Sequence, residues 1–240
     1  MPAALGAVLL LAAGCGLGTS SAGSRAGHRQ HHGRHLPSSP SSPASPQPPD
    51  AVRARAELAR LHVAPRPRGT EGYHRDAFGA AWLDTDHDGC NQRDDVLLRD
   101  AVPGTTTVAQ QGSCDHDVLA GRWHDPYTGR TLTFTDLKDL RQAEAIQIDH
   151  VVPLAEAWVS GARRWRPDRR VAFANDLTEL LAVDGPTNAS KGDDDPASWR
   201  PRRGYQCTYA RRWIGVKTRY RLAVDPSEEA ALSAMLGTCR

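Results

Sequence analysis

The sequence predicts a mixed α+β fold for residues 50–240, and three observations support this prediction. Apolar residues recur at helical spacing at the start of this region and again in its last third. Short runs rich in β-branched and aromatic residues, typical of strands, lie between them. Two of these runs are separated by residues 125–129, in which Pro126 and Gly129 are typical of a hairpin turn.

The individual elements are predicted from local signals along the chain. Residues 50–61 form a predicted helix because Val52, Leu58 and Leu61 share roughly one face. Pro153 ends the β-rich run 146–152, Pro226 stands just ahead of the last helix, and a polar loop is predicted after residue 183. The predicted helices are 50–61, 74–83, 93–99, 154–159, 168–175, 207–222 and 227–236, and the predicted strands are 105–109, 118–123, 146–152 and 177–183, with a hairpin over 123–134.

The first 24 residues have the character of an export signal. They carry no charge, and Ala3 to Ala13 is an apolar run of 11 residues. This run is shorter than the ~20 residues that span a bilayer and matches a signal-peptide core. The segment ending at Cys15 is similar to a bacterial lipobox, so lipoprotein and signal peptide both stay open. The predicted location is secreted, or lipid-anchored through Cys15 at the outer face of the cell membrane.

Residues 25–49 are predicted to be a disordered linker rich in His, Pro and Ser. The stretch from Pro37 to Pro49 has six Pro and five Ser in 13 residues, which leaves almost nothing to bury. The linker also contains four histidines that could chelate a transition metal, although a solvated tether is the preferred interpretation. These histidines are His28, His31, His32 and His35.

Four cysteines remain once Cys15 is assigned to the export signal. In an exported chain they suggest two disulfides, with three possible connectivities. Cys90–Cys114 and Cys207–Cys239 are preferred because each closes a local loop. The net charge of residues 50–240 is −1, so global charge does not indicate a nucleic-acid partner.

The chemistry-bearing residues lie in one series, and its individual members are common in turns. Asp149 and His150 are adjacent and would point to opposite faces of an ideal strand, but at a strand end both can reach one site. Asp149 and Asn188 offer oxygen ligands suited to Mg²⁺ or Mn²⁺, and an imidazole outside the metal shell can take a proton from water. Lys191 follows Asn188 in a segment typical of a helix start, where phosphate binds well.

The series Asp-His-x-x-Pro, Asn and Asn-x-x-Lys resembles the HNH nuclease motif, and is similar to HNH domains of CRISPR effector nucleases and GmrSD-type restriction enzymes. The resemblance implies an exported endonuclease over residues 50–240, with a ββα-metal core inside a small helical and hairpin domain. It implies His150 as general base, Asn175 bracing the loop that orients His150, and a divalent metal ion, Mg²⁺ or Mn²⁺, on Asp149 and Asn188. It implies a phosphate contact for Lys191.

A nucleic-acid substrate, with DNA favoured over RNA, is also indicated by local charge. Residues 200–221 contain eight basic and no acidic residues, with aromatics between them. The aromatics are expected to be mostly core, and no obligate protein partner is indicated. The alternative is a non-catalytic exported binding module with a degenerate HNH fold.

A second metal-like pattern lies in residues 84–89. Asp84, Asp86, Asp88 and Gly89 match the opening of an EF-hand loop, with Asp95 at the twelfth position. The preferred interpretation is an Asp-rich turn that caps the following helix. The alternative is a structural Ca²⁺ ion.

Overall fold

The computed structural model describes residues 49–67 and 69–240. The predicted signal segment 1–24 and linker residues 25–48 lie outside the described residues. Within the described part, helices and small antiparallel sheets together confirm the mixed α+β class. No helix in residues 49–67 and 69–240 combines the length and apolar character needed to span a bilayer.

The helices and strands have the following bounds. The helices are α1 Pro49–Leu58, α2 Gln92–Asp100, α3 Leu140–Ala145, α4 Leu154–Ser160, α5 Pro167–Ala174, α6 Gly185–Lys191, α7 Gln206–Tyr220 and α8 Pro226–Leu236. The strands are β1 Thr107–Gln111, β2 Cys114–His124, β3 Thr131–Phe134, β4 Ile146–His150 and β5 Leu180–Asp184. Short 3-10 turns cover Arg75–Phe78, Ala162–Arg164 and Arg203–Tyr205.

The first sheet is an antiparallel meander in the order β1-β2-β3. The predicted hairpin joins β2 to β3, with Trp123 opposite Leu132. Its turn is closed because the backbone nitrogen of Gly129 donates to the carbonyl oxygen of Asp125, and Gly129 has φ 79°. That positive φ explains why glycine stands at this position of the turn.

The second sheet pairs β4 with β5 in antiparallel register, with Ile146 opposite Asp184 and His150 opposite Leu180. Helix α6 follows β5 directly, so β4, β5 and α6 make a ββα unit. The polar loop predicted after residue 183 is wrong, because α6 begins there. The sequence carries the signal: Asp184 caps the helix by accepting from the backbone nitrogen of Thr187, and a proline stands in the first turn.

Two hydrophobic cores flank the β4–β5 pair. Leu180 and Ala182 pack with α2 and the three-stranded sheet, whereas Leu181 and Val183 pack with the helices α1, α4, α5, α7 and α8. This division follows from the alternation of side chains along a strand. Since both faces are covered, all five residues of β5 are buried.

Both predicted disulfides are present, Cys90–Cys114 with S–S 2.00 Å and Cys207–Cys239 with S–S 2.05 Å. The helix predicted over 74–83 is wrong beyond Phe78, because Gly79 with φ 85° ends the short 3-10 turn. The helix α3 was not expected. Helix α1 begins at Pro49 and ends three residues earlier than predicted.

Candidate active site at the end of β4

Asp149 is the fourth residue of β4 and lies in a closed polar contact. It is 5% exposed, and its Oδ1 accepts a hydrogen bond from Nζ of Lys191 at 2.9 Å. Its Oδ2 accepts from the hydroxyl of Tyr127 at 2.5 Å. Burial raises the pKa of Asp149, whereas the charge of Lys191 and the hydrogen bond from Tyr127 oppose that shift.

The predicted metal ligands Asp149 and Asn188 fit a divalent cation only in part. Asn188 lies in α6, and its side-chain nitrogen donates to Oε1 of Gln147 on β4 at 2.9 Å. A carboxylate and a carboxamide are suitable donors for Mg²⁺ or Mn²⁺. However, the ammonium of Lys191 touches Asp149, and a positive charge at that distance repels a second cation. In this arrangement Asp149 is closed to a metal ion.

Lys191 has a different position from the one that the sequence suggested. It is the last residue of α6, not part of a helix start, and its side chain is 0% exposed. Its Nζ also donates to the carbonyl oxygen of His150 at 2.9 Å. An ammonium with two internal acceptors is not placed to contact phosphate, so the phosphate contact is corrected to an ion pair that holds β4 against α6.

His150 ends β4 and has surroundings different from those of Asp149. Its Nε2 lies 2.9 Å from the carbonyl oxygen of Ala174, which can only accept, so Nε2 carries the proton and Nδ1 is left basic. Burial lowers the pKa of His150 to about 4, with small contributions from Arg75 and Lys191, while the bond to Ala174 opposes the shift. The ring is therefore neutral at physiological pH. In this structure the side chains of Asp149 and His150 therefore have separate hydrogen-bond partners, and their convergence on one site stays a prediction.

A small cavity of about 30 Å³ adjoins His150, and its lining includes Arg75, Trp82 and Asn175. A cavity of this size has room for one water molecule. Asn175 Oδ1 accepts from the backbone nitrogen of Leu83 at 3.2 Å, and Nδ2 donates to the carbonyl oxygen of Val171 at 2.9 Å. Asn175 therefore joins Leu83 to α5 directly beside Ala174, whose carbonyl oxygen accepts from His150, and its role in bracing the loop that orients His150 stays a prediction.

Glu179 is the residue that holds the segment after His150, and the sequence did not reveal it. Its carbonyl oxygen accepts from the backbone nitrogen of Val151 at 2.9 Å, and its Oε1 accepts from the backbone nitrogen of Val152 at 2.9 Å. Glu179 is 0% exposed, and burial raises its pKa well above the usual range. An acidic residue at the start of a predicted apolar strand was the signal that could have identified it.

The hairpin turn between β2 and β3 supplies a second unpredicted contribution. Asp125 is 1% exposed, and its Oδ1 accepts from the backbone nitrogen of Asp184 at 3.1 Å. This bond ties the turn to the end of β5 and places Tyr127 against Asp149. The turn was predicted as a local structure only, because sequence spacing does not show which distant strand a turn contacts.

Basic residues of α7 line a separate groove of about 800 Å³. Leu177 and Thr178, which follow Asn175 in the chain, also line the groove. Tyr209 and Trp213 are fully buried, as expected for core aromatics. The charged lining favours anions, since arginines outnumber acidic residues. The charged residues that line the groove are Arg53, Arg99, Arg211, Arg212, Arg219, Asp50 and Glu57.

The ββα unit, with Asp149 and His150 at the end of its first strand and Asn188 on its helix, defines an HNH-type domain. Residues 92–235 match the family described as GmrSD restriction endonucleases, C-terminal domain. The match covers more than half of the chain, and the chain belongs to this family. The resemblance stated from the motif is confirmed, and a nuclease-type domain is shown.

A curated relative from Arthroderma benhamiae is described as an uncharacterized secreted protein. It is 44% identical over 193 residues, which are 79% of this chain and 86% of the relative. No solved structure matches the chain. The secreted relative and the two disulfides fit an extracellular location.

Proposed function

We propose that this protein is an exported endonuclease that hydrolyses phosphodiester bonds, with His150 as the general base. The observation that carries the proposal is the tautomer of His150, which is set by its bond to Ala174 and leaves a neutral, basic Nδ1. The adjoining cavity has room for the water that such a base needs. In the proposed step, water loses a proton to Nδ1 and its oxygen bonds to phosphorus. The bond from phosphorus to the ester oxygen breaks, and that oxygen leaves with the electron pair and takes a proton from solvent.

A pKa near 4 makes His150 a weak base in the substrate-free protein. An anionic phosphate beside the ring would stabilise the protonated imidazole and raise this pKa towards neutrality. The substrate therefore improves the base that acts on it. Arg75, which lines the same cavity, is available to offset the charge of that phosphate.

DNA is the proposed substrate, because the family is described as restriction endonucleases and the arginine-lined groove suits a phosphate backbone. HNH-type nucleases generally use a divalent cation. We propose Mg²⁺ or Mn²⁺ dependence, with Asp149 and Asn188 as ligands, which requires the Asp149–Lys191 pair to separate. A lipid anchor at Cys15 stays a prediction of the sequence.

Purified residues 49–240 test the proposal in assays with supercoiled DNA and with RNA, in Mg²⁺, Mn²⁺ or EDTA. Wild type should cleave DNA, and His150→Ala should lose roughly 10²–10⁴-fold in rate while remaining folded. His124→Ala is the matched control because His124 is exposed on β2, and it should cleave at the wild-type rate. A folded His150→Ala that retains the wild-type rate contradicts the mechanism.

A non-catalytic binding module is the second candidate, and two observations favour it. Asp149 is neutralised by Lys191, and His150 is only 8% exposed. If wild type cleaves neither DNA nor RNA with either metal but still retards DNA in a gel, the binding module is the better description. Binding that falls as salt rises would support backbone recognition.

A further inference from the structure

The loop of residues 84–95 holds carboxylates that the proposed nuclease chemistry does not use. One oxygen from each of Asp84, Asp86 and Asp88 lies within 4.8 Å of the others. These residues do not cap the following helix, because Asn91 is the N-cap of α2 and accepts from the backbone nitrogens of its first turn. The predicted Asp-rich turn is present, because Asp84 accepts from the backbone nitrogens of His87 and Gly89, but the prediction that it caps the helix is wrong.

Asp95 supplies an observation that points to a missing ligand. Its side chain is 10% exposed, and Oδ1 accepts from Nε2 of His116 at 2.9 Å. Its Oδ2 is shielded from solvent and has no hydrogen-bond partner. Asp88, Asp95 and His116 each place a ligand atom within 4.8 Å of the others, and Asp88 also belongs to the acidic cluster, so Asp95 adjoins that cluster. A buried carboxylate oxygen without a partner is costly unless a cation satisfies it.

Gln92 provides a second unpaired oxygen at the same loop. It is 0% exposed, its Nε2 donates to Oγ1 of Thr85 at 2.6 Å, and its Oε1 has no partner. Twelve-residue calcium loops take ligands from positions 1, 3, 5, 7, 9 and 12 and need glycine at position 6. The two unpaired oxygens stand at positions 9 and 12. The full set of positions is Asp84, Asp86, Asp88, Cys90, Gln92 and Asp95, with Gly89 at position 6.

The backbone of the loop is already fixed in shape. Gly89 has φ +95°, and a Cβ there would lie 2.5 Å from the carbonyl oxygen of Ser113. The neighbouring disulfide Cys90–Cys114 joins the loop to β2. A preorganised loop loses little conformational entropy when it binds an ion.

We propose that residues 84–95 bind one Ca²⁺ ion through the carboxylates of this loop, with Asp95 as the buried ligand. His116 is not a ligand, because its two ring nitrogens face carboxylate oxygens of Asp95 at 2.9 Å and Asp115 at 2.8 Å. Carboxylates only accept, so both nitrogens donate and neither offers a lone pair. His116 is then a cation, but unlike the Asp149–Lys191 pair it stands against four loop carboxylates and leaves Oδ2 of Asp95 without a partner. A site of oxygen ligands alone selects Ca²⁺ over Zn²⁺. The ion stabilises the junction of α2 and β2 and takes no part in cleavage.

Thermal unfolding of EDTA-treated protein, with Ca²⁺, Mn²⁺ or Zn²⁺ added back, tests this site without any nuclease assay. At Ca²⁺ one hundredfold above its Kd, the wild-type Tm should rise by roughly 5–10 °C. Asp86→Asn/Asp88→Asn should abolish the rise, and its amides keep the acceptor for the backbone nitrogen of Cys90. Asp168→Asn/Asp194→Asn is the control of equal charge at exposed positions, and it should respond like wild type.

Calorimetric titration should show one Ca²⁺ per wild-type chain and none in the loop variant. Asp86→Ala, which alters one exposed side chain, serves as a second variant and should lose most of the affinity. The proposal is overturned if wild type binds no Ca²⁺, if the response survives in Asp86→Asn/Asp88→Asn, or if Asn188→Ala removes it. A response to Zn²⁺ without one to Ca²⁺ overturns it as well.

Discussion

The carboxylates at the end of β4 and those in the loop of residues 84–95 differ in their burial and in their partners. Asp149 is buried and has an ammonium and a hydroxyl as partners, both supplied by the protein. In the loop, Asp86 and Asp88 are exposed, and the Oδ2 of Asp95 is buried without a partner. The carboxylate that matched a metal-dependent motif has a buried ammonium of its own, whereas four carboxylates of the loop, those of Asp84, Asp86, Asp88 and Asp95, have within the described part of the chain only the nearby His116 as a cationic partner. A motif therefore identifies a family better than it locates an ion.

The largest expected effect concerns the Asp149–Lys191 pair. Lys191→Met should lower the free energy of unfolding in EDTA by ~3–5 kcal/mol, because it leaves a buried carboxylate without its cation. The double variant Asp149→Asn/Lys191→Met should recover most of that loss. Urea unfolding measures both.

The same variants decide whether Asp149 also binds metal. If Mg²⁺ or Mn²⁺ restores the stability of Lys191→Met but not of the double variant, a divalent cation has replaced the ammonium. Equal behaviour of the two variants in metal would remove Asp149 from the proposed ligands. An unchanged stability of Lys191→Met in EDTA would show that the pair contributes nothing.

The two disulfides differ in their relation to the proposed calcium loop. Replacing both cysteines of either disulfide by serine should lower the free energy of unfolding, measured with a chemical denaturant, by ~2–4 kcal/mol. The two variants should differ in their response to Ca²⁺. Cys90→Ser/Cys114→Ser should weaken the Ca²⁺-induced rise in Tm, because this disulfide joins the loop to β2. Cys207→Ser/Cys239→Ser is the control and should keep the full rise. The reverse pattern would separate the proposed calcium loop from its disulfide.

The pKa of His150 predicts a pH dependence of stability. The unfolded chain binds a proton near pH 6.5, whereas the folded protein binds it only near pH 4. Between these values the unfolded state holds more protons, so stability is lost as pH falls from about 6.5 to 4, by at most about 3 kcal/mol. Unfolding in EDTA should show this slope in wild type and a smaller one in His150→Asn. If the free energy of unfolding depends on pH in the same way in wild type and in His150→Asn, the imidazole of His150 is not buried in its neutral form.

The sequence predicted the parts of the fold that depend on neighbouring residues. The hairpin before β3 and the last two helices follow from turn composition and apolar spacing, which are local properties. Helix α6 was missed because its sequence is polar, although Asp184 and Pro186 mark its start. Gly79 similarly ended a predicted helix through a backbone angle that apolar spacing does not report.

The candidate site was predicted in composition but not in pairing. Asp149, His150, Asn188 and Lys191 are all in or beside the ββα unit. Which side chain faces which could not be predicted, because Lys191 contacts Asp149 across 42 positions of the chain. Tyr127 enters from a different sheet, and no local pattern indicates such a contact.

The smallest expected effect concerns Glu179, where two substitutions distinguish the loss of a hydrogen-bond acceptor from the loss of a charge. Glu179→Ala should lower the free energy of unfolding by ~1–3 kcal/mol, because the backbone nitrogen of Val152 loses its buried acceptor. Glu179→Gln keeps that acceptor, and the burial that raises the pKa of Glu179 disfavours the charged form, which Gln lacks. Gln should therefore restore both stability and any cleavage rate that Ala reduces, without moving KM. Should Gln be as damaging as Ala, Glu179 acts as a charged group beside Asp149, and its assignment as a positioning residue for the segment after His150 is wrong.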